Sequence, residues 1–266
     1  MRVRRHGWEL KAQTDVAAAT VELVEELWAE GEPLGLANDM LSGLQHFVPD
    51  LRGQLRQAWR LTRAWAQAEP PHRAAPASPL LVLAVAGFCR GLGQAGAAAM
   101  AACGFDAFLR TGELLGVRPA EVVIYSASRA VIRLERTKTS VRKNAKESVV
   151  VRSPIAVRLL REALPLVGAL EPVVGLAPHS FRRLFGAVLR AFTLQDYGYG
   201  VYSLRRGGAT WDFLRHGSME QTLLRGRWAS TATARIYVQD AAAEIASLRL
   251  SAAQQSFLAA AARLVL

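Results

Sequence analysis

The stretch that most limits how this chain folds is residues 69–78, EPPHRAAPAS. Pro70, Pro71 and Pro76 remove backbone donors, fix φ and push the residues before them out of the helical region. No continuous helix runs through such a stretch, and it reads as a linker. The chain is therefore expected to form one body over residues 1–72 and a larger one beginning near Ser78.

Ahead of the linker the apolar spacing predicts helices. Over residues 13–30, Val16, Val21, Val24, Leu27 and Trp28 share one face, and Gly31 and Pro33 end the run. A second helix is expected over Leu36 to Phe47. A third opens at Pro49 and runs to about Gln67, with Leu51, Leu55, Trp59, Leu61 and Trp65 as its apolar side. Arg52, Arg56, Arg60 and Arg63 recur along another side of it. Two readings of that row stand: cations laid along a phosphate backbone, or a solvated face.

Beyond the linker, Ser78 is placed to cap a helix that starts with Pro at its first position and continues to about Arg90. A second helix is expected from Ala97 to Leu115. Three β-like runs follow: Val122 to Tyr125, Val131 to Leu134 and Ser148 to Val151, with a hairpin turn at Ser126 to Arg129. Helical patterns return at 154–170, 180–192, 210–216 and 219–226. A further helix, opened by Ser230 to Thr233, is expected to carry Tyr237. The tail from 241 to 266 is rich in Ala and Leu.

Charge narrows the partners. The chain has 33 Lys and Arg against 22 Asp and Glu, a formal net charge of +11 over 266 residues. A polyanion is the first partner to consider, nucleic acid above all. Only Lys11, Lys138, Lys143 and Lys146 are lysines, and three of these four lie in the segment joining the second and third β-like runs, ERTKTSVRKNAKE. Cys89 and Cys103 sit in apolar surroundings and suggest no disulfide framework. His6, His46, His72, His179 and His216 form no ligand pair, so no metal or other cofactor is expected. The apolar run 79–89 ends at Arg90, short of the roughly 20 residues that span a bilayer. No secretory signal layout is seen. The expectation is an intracellular protein with access to DNA, no membrane and no small-molecule substrate.

The chemistry concentrates in Tyr202 to Tyr237, YSLRRGGATWDFLRHGSMEQTLLRGRWASTATARIY. It offers a guanidinium at Arg205, an indole 23 residues later at Trp228 and a phenol 9 residues after that at Tyr237. A guanidinium grips two oxygens of a phosphate with its planar fork. A phenol, with its pKa of about 10, is a weak nucleophile at neutral pH unless cations surround it. Upstream, Arg110 stands three residues before Glu113 in FLRTGELLGVRPAEV.

These motifs and spacings, over about residues 79–249, resemble the catalytic domain of the tyrosine recombinases, the phage-type integrases. The resemblance implies a mainly α fold with a small antiparallel three-stranded sheet (α+β). It implies a helical, DNA-gripping domain over 1–72, the catalytic domain over 79–249 and a C-terminal helix over 250–266 that docks either in cis or on a neighbour. It also implies roles. Arg110 and Arg205 would hold the scissile phosphate, with Glu113 orienting a helix or an arginine. Trp228 would donate to the phosphate, and Tyr237 would form a 3′-phosphotyrosyl link. Lys138, in the Thr-Lys-Thr of the β-like connection, would protonate the 5′ leaving oxygen.

There are departures. Tyr202 stands where most members have His, and a phenol is a poor base. Arg227 stands where Gly is expected before Trp228. His179-Ser180-Phe181-Arg182 also fits His-x-x-Arg, but Arg182 lies 55 residues before Tyr237, whereas Arg205 lies 32 before it and matches the family's spacing. The expected activity is site-specific recombination of double-stranded DNA by a homo-tetramer. A catalytically degenerate relic that only binds DNA, or a type IB topoisomerase, are the alternatives.

Overall fold

The computed structural model describes residues 13–69, 74–134 and 147–266. The chain divides into two compact units, residues 1–72 and 73–266.

In the first unit, helices α1 (Gln13–Ala29), α2 (Leu34–Phe47) and α3 (Arg56–Ala68) close around a core of Val24, Leu27, Leu41, Leu51, Leu55 and Trp65. Trp28 and Trp65 stack with ring centroids 5.6 Å apart. Both indole N–H groups donate to the Glu69 carboxylate, at 2.9 and 3.0 Å. The third helix begins later than its spacing predicts. Pro49–Leu51 forms a 3-10 turn, and Gly53 takes a φ of +88°, a left-handed conformation that interrupts any helix. Arg52 therefore lies outside α3, and the helical row reduces to Arg56, Arg60 and Arg63. All four side chains are exposed.

The second unit is built on α4 (Pro79–Gly91) and α5 (Ala95–Asp106). Ser78 caps α4 by accepting the Leu81 N–H at 3.2 Å. Helix α5 buries every residue from Ala97 to Gly104. Its run of alanines lets neighbouring helices approach closely, so this helix forms the centre of the unit. The predicted single helix over 97–115 is instead two. The chain turns at Ala107 to Leu109, where Phe108 has φ +49° and Leu109 N–H returns to Gly104 O at 3.1 Å. It restarts as α6 (Thr111–Gly116), with Arg110 as its extended N-cap residue.

The sheet consists of β1 (Val122–Ser126), β2 (Arg129–Leu134) and β3 (Glu147–Val151), antiparallel and in sequence order. Its β2–β3 ladder runs from Ala130 opposite Val151 to Leu134 opposite Glu147. Next comes α7 (Pro154–Ala163), shorter than the predicted 154–170. It gives way to a 3-10 turn at Leu164–Leu166, because Pro165 has no N–H with which to continue an α-helix. Helices α8 (Pro178–Ala191), α9 (Tyr202–His216), α10 (Met219–Gly226) and α11 (Thr231–Arg235) lead to Tyr237. Tyr237 follows α11 rather than lying within it. The whole is mainly α with one three-stranded antiparallel sheet, the α+β class that the sequence suggests.

Helix α9 explains the run Arg205-Arg206-Gly207-Gly208. A Cβ on Gly207 would stand 2.1 Å from Ala77 O, and one on Gly208 2.0 Å from Phe105 O. The glycines let α9 press against the backbone of the linker end and of α5. That contact carries Arg205 under Phe108.

The tail forms α12 (Asp240–Leu248) and α13 (Ala252–Ala262). Leu258, Ala262 and Val265 are buried. Arg90 donates to Leu264 O at 2.7 Å, and Arg158 donates to the carbonyls of Val265 and Leu266. In this structure the C-terminal helix docks in cis. Among the described residues, no helix is long and apolar enough to cross a membrane.

Candidate active site

The turn between α5 and α6, the N-terminus of α9 and the loop after α10 converge on one cluster. Arg205 is its buried centre, with 1% of its surface exposed. One Nη donates to Phe108 O and the other to Gly226 O at 3.0 Å. These two backbone bonds fix the plane of the guanidinium. It lies against two rings, with Cζ 4.9 Å from the Trp228 centroid and 5.0 Å from the Tyr237 centroid. Burial, then the nearby charge of Arg110, lowers its pKa to about 10. It therefore remains cationic at neutral pH.

Trp228 is sandwiched. Its ring stacks on Phe108 with centroids 6.3 Å apart and tilts against Tyr237 at 4.6 Å. The buried Arg205 Nε, Trp228 Nε1 and Arg227 Nε make no hydrogen bond of good geometry, although Arg205 and Trp228 both act on the Tyr237 hydroxyl as donors. A buried donor without a well-formed bond is uncommon. Two of them converging on one hydroxyl suit an anion.

The Tyr237 hydroxyl is bonded to that of Tyr202 at 2.7 Å. The two phenols are driven apart in acidity. Burial and the bond to Tyr237 push Tyr202 up to about 12. Tyr237 moves the other way. Burial raises it, but the hydrogen bond from Tyr202 and the charge of Arg205 outweigh burial and hold it below the ordinary phenol value. The indole N–H of Trp228 and the guanidinium of Arg205 add to that pull as donors to the same hydroxyl. Tyr202 is thus the donor and Tyr237 the group that ionises first. The sequence left the role of Tyr202 open; in this structure its hydroxyl donates to that of Tyr237.

Arg110 approaches from the N-cap of α6. The Glu113 carboxylate receives its backbone N–H at 2.8 Å and its Nη1 at 2.6 Å. Burial lowers the Arg110 pKa, but the bond to and charge of Glu113, with Glu147 and Tyr237 nearby, raise it overall. More than a third of the side chain remains exposed, at 36%. Glu113 is 8% exposed and also takes two bonds from Arg227, at 3.2 and 2.8 Å. Burial pushes its pKa up, but the bonds and charge of Arg227 together with Arg110 keep it ionised and below the usual carboxylate range.

The structure brings together Arg110, Tyr202, Arg205, Trp228 and Tyr237, five of the six residues singled out by the sequence. Lys138, like Lys143 and Lys146, lies outside the described residues. His179 and Arg182, the competing His-x-x-Arg, are exposed at the start of α8.

Arg227 was read only as a departure from an expected Gly, and Glu147 was not singled out at all. Arg227 has φ +58° and ψ +42°, so this is a left-handed position. A non-glycine residue there costs about 1–2 kcal/mol. The side chain that incurs this cost bonds both Glu113 and, at 2.9 Å, Glu147. A long cation in a glycine slot was the available signal; its two partners are 114 and 80 residues distant in sequence and were not legible.

No protein-family model matches the sequence. No curated protein matches it either. Solved structures do. The fold is that of the tyrosine recombinase catalytic domain. In particular, it is similar to a lambda integrase dimer bound to a COC′ core site, at 16% identity over 90% of this chain and 69% of that one, with a TM-score of 0.60. It is also similar to XerH site-specific recombinase bound to difH substrate in a pre-cleavage complex, at 13% identity, 88% and 70% coverage and a TM-score of 0.56. For XerA recombinase the values are 15%, 80%, 83% and 0.51.

Proposed function

We propose that this chain is a site-specific DNA recombinase that cuts and rejoins duplex DNA through a 3′-phosphotyrosyl intermediate. One observation carries the reading: the buried Arg205 guanidinium and the Trp228 indole lie against Tyr237, and with Tyr202 they hold the pKa of its hydroxyl below the ordinary phenol value. A scissile phosphate at that point would accept from both donors and face the nucleophile. Arg110, with 36% of its side chain exposed, would grip the other side of the same phosphate. Fixed donors aimed at developing charge are an effective source of transition-state stabilisation.

In this mechanism the Tyr237 oxygen, its proton lost to solvent, attacks phosphorus. The bond from phosphorus to the 5′ oxygen breaks, and Lys138 protonates the leaving oxygen. Tyr202 donates to the forming phenolate. The phosphotyrosyl bond retains the energy of the phosphodiester, so the reverse attack by a 5′ hydroxyl rejoins the strand without ATP. Residues 1–72 grip the duplex through Arg56, Arg60 and Arg63, residues 79–249 perform the chemistry, and four protomers act on two duplexes.

The first test is a nicked suicide duplex analysed on a denaturing gel. A covalent protein–DNA band that disappears in Tyr237→Phe is the expected result. Lys138→Ala should slow cleavage about 10²–10⁴-fold, the usual contribution of a general acid, and leave binding unchanged. Equal loss of both would remove Lys138 from the mechanism. A second reading, a relic that binds DNA without cutting it, is favoured by one observation: Tyr202 replaces an imidazole base with a phenol whose pKa is raised to about 12. Tight binding with no covalent band would establish it.

A further inference from the structure

Arg227 is the residue that the proposed chemistry does not use. It occupies a left-handed backbone position where glycine would be unstrained, and its side chain is nearly buried, at 11% exposure. Its guanidinium joins two carboxylates from different parts of the unit. One is Glu113, in the α6 turn that holds Arg110; the other is Glu147, the first residue of β3. Glu147 pairs with Leu134 at the last rung of the β2–β3 ladder. Arg227 also directly precedes Trp228, so the tether begins one residue from a ring of the cluster.

We propose that Arg227 is a positioning residue: it ties the first residue of β3 to the Arg110–Glu113 turn and so holds the phosphate clamp in place against the sheet. This rests on the recombinase reading. The fork of arginine suits the task, because it reaches two carboxylates at once where an ammonium is a single point charge. The main influences on the Tyr237 pKa are burial, Tyr202, Arg205 and Trp228.

Arg227→Gly removes the side chain without adding backbone strain, because glycine adopts the left-handed conformation freely; Arg227→Lys keeps the aliphatic stem and separates loss of the fork from loss of packing. Single-turnover cleavage of the suicide duplex, its pH profile and the Kd for the same duplex are measured for wild type, Arg227→Gly, Arg227→Lys and Glu147→Gln. A small displacement of catalytic groups costs up to about a hundredfold in rate. Arg227→Gly should therefore cleave about ten to a hundredfold more slowly at saturating DNA, with Kd and the pH midpoint unchanged. Arg227→Lys should recover part of the loss. Glu147→Gln should slow cleavage in the same direction, and combining it with Arg227→Gly should add little, as expected of two ends of one contact. Wild-type cleavage by Arg227→Gly, a parallel loss of binding, or a shifted pH midpoint would overturn the positioning role. Amide hydrogen exchange along β3 is read on the same proteins. Faster exchange at Val149 and Val151 in Arg227→Gly supports the tether, and unchanged exchange removes it. If wild type itself forms no Tyr237 adduct, the recombinase reading and the catalytic role fall together, while the exchange result still decides whether the tether exists.

Discussion

The two units of this protein use arginine in opposite ways. In the first, Arg52, Arg56, Arg60 and Arg63 stand exposed on and beside α3, away from a core of aliphatic and indole side chains. In the second, Arg205 is enclosed, bonded to two backbone carbonyls and covered by two aromatic rings. An exposed guanidinium exerts a pull that salt screens and that has no fixed direction. A buried one is held in a single orientation by its surroundings, and removing it leaves its partners unsatisfied. The same residue type therefore suits general attraction in one unit and aimed stabilisation in the other.

The sharpest way to break this contrast is Arg205→Ala. It removes a fixed donor and strands Phe108 O and Gly226 O. Cleavage should fall by about 10²–10³-fold or more, and stability by about 1–3 kcal/mol for each carbonyl left unpaired. Urea unfolding monitored by tryptophan fluorescence checks the second part. A near-normal midpoint would mean that the buried guanidinium does not organise its surroundings.

Next in size is Gly208→Ala. The new methyl would meet Phe105 O at 2.0 Å, and backbone cannot yield as a flexible side chain does. A loss of about 3 kcal/mol is expected, at the upper end for an overpacked contact. A thermal melt that does not shift would show that α9 is not pressed on α5 as described.

Tyr202→Phe should change a pH profile rather than the fold. In the proposed mechanism cleavage depends on the Tyr237 phenolate, so in wild type the rate should rise with pH and level off below pH 10, because the Tyr237 pKa is depressed from 10.0. Removing the Tyr202 hydroxyl removes a donor that lowers that pKa. The plateau then moves to higher pH, and the rate at neutral pH drops. An unmoved profile would mean that the bond between the two hydroxyls does not control ionisation.

The smallest effect belongs to the exposed row. Arg60→Ala should leave stability within about 0.5 kcal/mol. It should weaken DNA binding uniformly across sequences and reduce the slope of log K against log salt by about 0.9, the value for one phosphate contact. If the slope holds, the row is a solvated face and the contrast between the units loses its functional half.

Much of the secondary structure was legible because its signals are local. Ser78 before Pro79, the helix Met219–Gly226 and the hairpin turn at Ser126 to Arg129 each follow from residues within a turn of one another. The failures are equally instructive. The break at Phe108 has no glycine or proline to announce it, since a phenylalanine takes the positive φ there. Its ring is held by Trp228 and by the guanidinium of Arg225, with Cζ 4.8 Å from the centroid. Both partners come from more than a hundred residues further along the chain, so only tertiary contact enforces the turn.

The same division runs through the site. The sequence, through its resemblance to a known family, singled out Arg110, Lys138, Tyr202, Arg205, Trp228 and Tyr237 in that order on a basic, mainly helical chain; the fold gathers five of them, and Lys138 lies outside the described residues. It could do so because the order and intervals of those residues match the motifs of that family, and the residue types suit phosphate chemistry. Which phenol ionises, which donors act on its hydroxyl, and that Arg227 joins Glu113 to Glu147 were decided by the fold. Those properties depend on desolvation and on distances of a few ångströms between segments remote in sequence, and only a folded chain defines them.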